Sequence, residues 1–226
     1  MRRRTVLWAA LAFAAPAAAA QSALLGGLTQ GEASRGVREA LSVAAVYATD
    51  RLGRRDGFFA DSRVHIPLPG VLGRTQQGLR GLGLSAPLDD VELRMNRAAE
   101  AAMPQAKSIF LTVVRSITIA DALEIVRGGD TAATAFLQDR STPRLTTLLT
   151  PPMRRTLQGS GAFTALDSVA GRYGAGAAST SLRNDVTRFA VEKALSGAFA
   201  YIGDKERAIR RDPIGAGSDL LRRVFG

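Results

Sequence analysis

The chain contains no cysteine and a single histidine, His65, among its 226 residues. The absence of cysteine excludes disulfide bonds, thiol catalysis, cysteine-ligated metals and the cysteine acylation of lipoproteins. With one histidine, a multi-histidine metal site is excluded, and a catalytic triad that includes histidine would require His65. We therefore expect no metal and no cofactor, and we interpret His65 as a partly exposed polar side chain.

Lysine and aromatic residues are also scarce, although the chain is basic. Only three of the 30 basic residues are lysines, the formal net charge is +10, and aromatic residues make up 6% of the sequence. No segment alternates basic with aromatic residues as single-strand binders do, so we expect no nucleic-acid partner. The arginines either form a solvated surface or face an anionic membrane surface, and both interpretations stay open.

Beyond the N-terminus, no apolar run is long enough to cross a membrane, which requires about 20 residues. The first residues have the pattern of a signal peptide, with arginines at 2–4, a short apolar run from Val6 to Ala15, and alanines at 18–20. We predict export to the periplasm or cell envelope and cleavage after Ala20, which leaves residues 21–226 as a single helical domain. A short N-terminal anchor is the alternative, and the general and twin-arginine export routes both stay open.

Helical signals begin soon after this segment. Thr29 and Glu32 form a capping box ahead of apolar residues at helical spacing, and Gly53 is suited to end that first helix. Ser85 is placed to cap a second strong helix, within which Pro104 predicts a kink or a new start.

Shorter helices are predicted in the second half of the chain. Asp130 is placed to cap one of them, and Ser141-Thr142-Pro143 and Thr150-Pro151 each put a capping residue ahead of a first-turn proline. Residues 182–211 give the longest helical pattern, which Asp212-Pro213 ends. The sequence therefore predicts an all-α fold, a single compact bundle of short helices with a long C-terminal helix.

One segment departs from the helical pattern. Apolar and polar residues alternate from Arg63 to Leu68, as they do in extended chain. Pro67 and Pro69 exclude a central strand, because proline cannot donate to a sheet ladder. We expect at most one short extended or β-like segment near residues 63–68.

The last residues predict a short amphipathic helix. Leu220, Leu221, Val224 and Phe225 fall on one face of two helical turns. A helix this short is unstable alone, so it must dock either on the core of the protein or on an anionic membrane. We favour docking on the core, because terminal helices commonly close a bundle.

Several strings occur together along the chain and in a specific order. They are Asp56-Gly57-Phe58, Ile66-Pro67-Leu68-Pro69, Met95-Asn96-Arg97-Ala98-Ala99-Glu100, Asp121-Ala122, Gly129-Asp130-Thr131-Ala132-Ala133-Thr134, Glu206-Arg207-Ala208-Ile209-Arg210, Asp212-Pro213, Leu220-Leu221 and Val224-Phe225-Gly226. With them the chain resembles a bacterial family of signal-peptide-bearing proteins catalogued as a domain of unknown function, number 4197. The resemblance implies an exported protein of Gram-negative type and implies no activity. One departure follows Asp212-Pro213, where the family leads us to expect a basic, threonine-containing turn and the chain has Ile214-Gly215-Ala216-Gly217.

One helix face carries the groups best suited to chemistry. Glu92, Asn96 and Glu100 recur every four residues and therefore share a face of the predicted helix. Two carboxylates and an amide are able to bind a hard cation or to act as acid and base, with Asp121 as a further catalytic candidate. The same spacing also fits a solvated face, or a buried pair in which an arginine from another helix holds Glu100.

A second polar group lies near the C-terminus. Glu206 and Arg210 are spaced for an ion pair within one helix, and Asp212 follows them directly. We predict that Glu100 and Arg210 meet and form a polar cluster with Glu206 and Asp212. We interpret this cluster as structural.

The sequence leaves two functions open. The first is a non-enzymatic envelope protein that binds an unknown protein or lipid partner, or an anionic membrane surface. The second is a carboxylate- or metal-dependent hydrolase built on the face of Glu92, Asn96 and Glu100. The first is favoured because the sequence has no visible nucleophile–base pair and no metal-binding motif.

Overall fold

The computed structural model describes residues 29–172, 179–215 and 218–225. Within these ranges the chain forms eight helices and no strand, which confirms the predicted all-α fold. The helices are α1 (Gln30–Leu52), α2 (Gly70–Arg80), α3 (Ala86–Arg115), α4 (Ile119–Arg127), α5 (Ala132–Gly159), α6 (Ala162–Arg172), α7 (Ser179–Arg211) and α8 (Asp219–Phe225). The predicted signal peptide at residues 1–20, with its cleavage site, lies outside the described residues.

Helix α1 lies at the centre of the bundle and packs against α3, α4, α7 and α8. It begins as predicted, because the Thr29 hydroxyl accepts from the Glu32 N–H while the Glu32 carboxylate accepts from the Thr29 N–H. Its buried face is rich in alanine, which allows neighbouring helices to approach closely. Gly53 follows the last turn, where the sequence predicts the end of the helix.

The prolines do not divide the helices as the sequence predicts. Pro104 lies inside α3, and α5 continues through Pro143, Pro151 and Pro152. The expected capping hydroxyls of Ser141 and Thr150 donate instead to the carbonyl four residues earlier, an arrangement compatible with a continuous helix. The predicted helix starts near residues 141 and 150 are therefore wrong, because packing of the buried face of α5 outweighs the local proline signal.

The connection between α1 and α2, residues 53–69, crosses one face of α3 without forming a strand. Val64, Ile66 and Leu68 are buried in the core, and the residues between them are more exposed. This alternation is the one that the sequence predicts for an extended segment. Phe58 from the same connection is also fully buried, so residues 53–69 form part of the core.

The last helix docks on the first one. Leu221 and Val224 of α8 are buried, and Val224 lies so close to Gly36 of α1 that a Cβ atom there would stand 2.5 Å from a Val224 methyl carbon. Arg223 of α8 also pairs with Glu32 at 2.6 Å. Docking of α8 on the core is thereby confirmed. None of the helices in the described ranges combines the length and the hydropathy that a membrane span requires.

Candidate functional site

Glu92, Asn96 and Glu100 share one face of α3, as their spacing predicts, and all three side chains are buried. We call these three residues the α3 polar face. It lies against the connection of residues 53–69 and is not exposed to solvent. Each member therefore has to find its hydrogen-bond partners inside the protein.

Asn96 pairs with the backbone of the connection as a neighbouring strand would. Its side-chain oxygen accepts from the Ile66 N–H at 3.0 Å, and its side-chain nitrogen donates to the Ile66 carbonyl at 2.8 Å. The same nitrogen also donates to the Glu92 carbonyl at 2.9 Å. One amide thus satisfies both backbone groups of a fully buried residue in an extended segment.

Glu100 holds the turn that leads into this segment. One carboxylate oxygen accepts from the N–H groups of Phe58 and Phe59, both at 3.2 Å, and the other accepts from Arg97 at 2.7 Å. Arg97 in turn contacts Asp56 at 2.7 Å, and its guanidinium lies over the Phe59 ring. The hydrogen bond with Glu100 is the main cause that raises the pKa of Arg97.

Glu92 connects the segment with α2. One of its oxygens lies 2.6 Å from His65 Nε2, and the other accepts from Gln76 and from Arg80. The second ring nitrogen of His65, Nδ1, lies 2.8 Å from the Phe59 carbonyl. Both nitrogens of His65 are thus engaged within the protein, which leaves neither as a ligand or a general base.

The neighbouring carboxylate, Asp89, belongs to the same network. Hydrogen bonds lower the pKa of Asp89, first from the Ser85 hydroxyl and then from Gln76 and Arg80. Ser85 occupies the N-cap position of α3, as predicted, but its hydroxyl donates to the Asp89 side chain at 2.7 Å and does not accept from a helix N–H.

Asp121, the fourth catalytic candidate, forms its hydrogen bonds with Thr118 and not with the α3 polar face. It completes a capping box with Thr118 at the start of α4, and this backbone hydrogen bond is the main cause that lowers its pKa. The structure therefore brings three of the four candidates together and places the fourth at a helix start. Among the described residues, the Ser34 hydroxyl is the one buried side-chain polar group without a hydrogen-bond partner.

The predicted meeting of Glu100 and Arg210 is wrong. Glu100 pairs with Arg97 on its own helix, whereas Arg210 pairs with Glu206 at 3.0 Å. The spacing of four residues correctly predicts the second pair. Asp212 takes part in neither pair, because its carboxylate accepts from the Gly215 N–H in the exposed turn after α7.

Glu206 caps a helix that is distant in the sequence. Its carboxylate accepts from the N–H groups of Ala133 and Thr134, at 2.9 and 2.8 Å, and from the Thr134 hydroxyl at 2.6 Å. The predicted cap, Asp130, lies outside α5, whose N-cap is Thr131. Sequence reasoning found Glu206 as the partner of Arg210 but missed its capping of α5, because donor and acceptor are more than 70 residues apart.

Arg210 connects the same part of α7 to two further helices, α4 and α8. It donates to the Ile125 carbonyl near the end of α4 at 3.1 Å, and its guanidinium carbon lies 4.7 Å from the centre of the Phe225 ring in α8. Glu206 and Arg210 of α7 thus hold the end of α4, the start of α5 and the face of α8. The contacts of these two residues therefore join the ends of neighbouring helices.

A second polar group that the sequence did not suggest surrounds Tyr201. The Tyr201 hydroxyl donates to Asp61, and the guanidinium groups of Arg51 and Arg63 lie over the tyrosine ring at 5.0 and 5.1 Å. This hydrogen bond is the main cause that lowers the pKa of Asp61. Arg63 also pairs with Asp204. These contacts fasten the connection of residues 53–69 to α7.

The fold and the site together define an all-α protein whose buried carboxylates hold its own segments in place. In the described ranges, no three histidine, cysteine or acidic residues are grouped so that they could hold a metal ion. The family described as Protein of unknown function (DUF4197) matches residues 27–226, and the chain belongs to this family. No curated protein and no solved structure matches the chain.

Proposed function

We propose that this protein is an exported, non-enzymatic envelope protein that binds an anionic membrane surface. The observation that carries the proposal is the use of every candidate catalytic side chain in internal hydrogen bonds. Glu92, Asn96 and Glu100 hold residues 53–69, and Asp121 holds the start of α4. A hydrolase would need at least one of these groups free to meet a substrate, so binding at the surface accounts better for the arrangement.

The surface has unpaired positive charge for such binding. A set of exposed arginines in the described ranges forms no ion pair with a carboxylate: Arg35, Arg54, Arg55, Arg74, Arg115, Arg127, Arg144, Arg172 and Arg211. Each basic side chain near an anionic bilayer contributes about 1 kcal/mol, and this attraction falls off over a Debye length. A basic envelope protein of this composition would therefore bind anionic lipid in a salt-sensitive way.

The first test is flotation of the purified mature chain, residues 21–226, with vesicles. We expect it to float with phosphatidylglycerol vesicles at low salt, to be released at high salt, and not to float with phosphatidylcholine vesicles. Absence of flotation with phosphatidylglycerol would overturn the membrane proposal. Native pull-down from the envelope then decides whether a protein partner takes its place.

The localisation has its own test. N-terminal sequencing of the protein recovered from the envelope fraction should begin at Gln21, since cleavage is predicted after Ala20. A mature chain that keeps Met1 would contradict the predicted signal peptide and leave the vesicle result unaffected.

A further inference from the structure

A groove with apolar walls runs between α2 and the pair formed by α6 and α7. It contains two neighbouring cavities of about 300 and 180 Å³, which share Val71, Leu72 and Leu182 in their walls. Val186 and Phe189 line the larger cavity, and Leu166 and Val169 are among the residues that line the smaller one. The larger cavity reaches the lower end of the size range of small-molecule sites.

The walls of the groove offer little to a polar ligand. Thr75 is the polar residue that lines the smaller cavity. In the larger cavity the charged residues are Asp185 and Arg188, which pair with each other at 3.1 Å on the exposed side. An apolar and elongated ligand therefore fits this groove better than a polar one.

The groove is open on the side of α2. Val71 is 57% exposed, and Leu82, just beyond the C-terminal end of α2, is 72% exposed. Of the residues within α2 only Gln76 is buried, so this helix is held to the rest of the protein by few contacts. Apolar side chains along an open groove are typical of surfaces that meet a partner or a membrane.

The charges beside the groove favour an anionic partner. Residues 70–84 contain Arg74 and Arg80 and no acidic residue. Arg80 is paired with Asp89 and Glu92, whereas Arg74 is exposed and has no carboxylate partner. Arg74 lines neither cavity, but it follows Val71 by three residues and precedes Thr75 on α2, and both of those residues line the groove. Its guanidinium is therefore within reach of a phosphate headgroup whose acyl chain lies in the groove.

We propose that the groove between α2, α6 and α7 takes up one acyl chain of an anionic phospholipid, with Arg74 at its phosphate. This inference rests on the proposed membrane binding and assigns it to a particular site. The apolar walls bury the acyl chain. The acyl chain first covers the exposed side chain of Val71.

A tryptophan probe tests the site directly. The one tryptophan of the sequence, Trp8, lies in the predicted signal peptide, so residues 21–226 with V71W carry a single probe at the groove. We expect phosphatidylglycerol vesicles with brominated acyl chains to quench most of its fluorescence. The matched control is L148W in the same residues 21–226, which replaces an exposed apolar residue of α5 outside the groove and should keep its fluorescence.

Variants of the surface give the second measurement. Val71→Asp should weaken vesicle binding by at least about 10-fold, because it removes one apolar contact and adds a charge that repels the lipid. Arg74→Glu should weaken binding more than Arg115→Glu, which changes the net charge equally on an exposed arginine of α3. Retained helical circular dichroism shows that each variant is folded.

The outcomes separate the site from the function. If the unaltered chain binds no phosphatidylglycerol vesicle, both proposals fail. If it binds while V71W is not quenched and Val71→Asp binds normally, the groove assignment fails and membrane binding survives. Self-association that Val71→Asp abolishes, without quenching by lipid, would identify a second copy of the chain as the occupant and would also overturn the assignment.

Discussion

Asn96 is a buried side chain that replaces the partner strand which residues 53–69 do not have. Extended backbone normally pairs with another strand, and an unpaired buried N–H or carbonyl costs about 1–3 kcal/mol. Here both groups of Ile66 are paired with the two ends of one amide. The segment is therefore able to cross the core without belonging to a sheet.

Asn96→Ala should lower the free energy of unfolding by about 2–4 kcal/mol, because both backbone groups of Ile66 lose their partner in a site without water access. Urea denaturation measures the change. Asn184→Ala is the matched control, because Asn184 is exposed and accepts from Arg154, and its loss should cost under about 0.5 kcal/mol. Equal stabilities of the two variants would contradict this role for Asn96.

The common face of Glu92, Asn96 and Glu100 was predictable, because a spacing of four residues places side chains on one side of a helix. Their partners were not predictable. Each one hydrogen-bonds to groups 12 or more residues away, and those contacts depend on the path that residues 53–69 take across α3. The pattern is thus the same for a catalytic face and for a face that holds a segment.

At the scale of elements, helix ends were predicted well where the cap is local and poorly where it is not. The capping box at Thr29 follows from two residues three apart in the sequence. The start of α5 is capped by Glu206, which no local pattern reveals. The prolines of α5 led to wrongly predicted helix starts for a related reason. Tertiary packing maintains helices that their local sequence would interrupt.

The packing of α8 on α1 depends on the absence of a side chain at Gly36. Gly36→Ala places a Cβ atom 2.5 Å from a Val224 methyl carbon, so α8 must shift or detach. We expect a loss of about 1–3 kcal/mol in thermal or urea unfolding, the usual cost of overpacking. Gly31→Ala on the same helix has no neighbour within 4 Å and should leave stability unchanged or slightly raised. A destabilisation at both glycines would point to α1 itself and not to the contact with α8.

For the whole molecule, stability should fall in acid through carboxylates that the fold holds ionised. The pKa of Asp61 is lowered in the folded protein, so its contribution is present above the unfolded pKa of about 3.9 and is lost as pH falls through the folded value. Asp61→Asn should therefore be less stable than wild type at neutral pH. The difference should shrink below about pH 4, as measured by urea unfolding across pH.

Asp50→Asn provides the comparison for this pH series. Asp50 pairs with Lys107 and its side chain is about half exposed, so its removal should cost less than about 1 kcal/mol across the range. A constant gap between Asp61→Asn and wild type from neutral to acid pH would contradict this account, because the hydrogen bond from Tyr201 favours the ionised form of Asp61 and its contribution should fall on protonation.

The contacts between α1 and α8 join helices from opposite ends of the described chain. Glu32 and Arg223 are 191 residues apart, and Glu206 reaches back more than 70 residues to the start of α5. A chain that emerges from the ribosome has made its central helix long before the helices that bury it exist. Contacts so distant in sequence also close slowly, since loop closure precedes the gain from packing. The contact between α1 and α8 therefore has to wait for the last helix, and we expect it to be among the last native contacts to form.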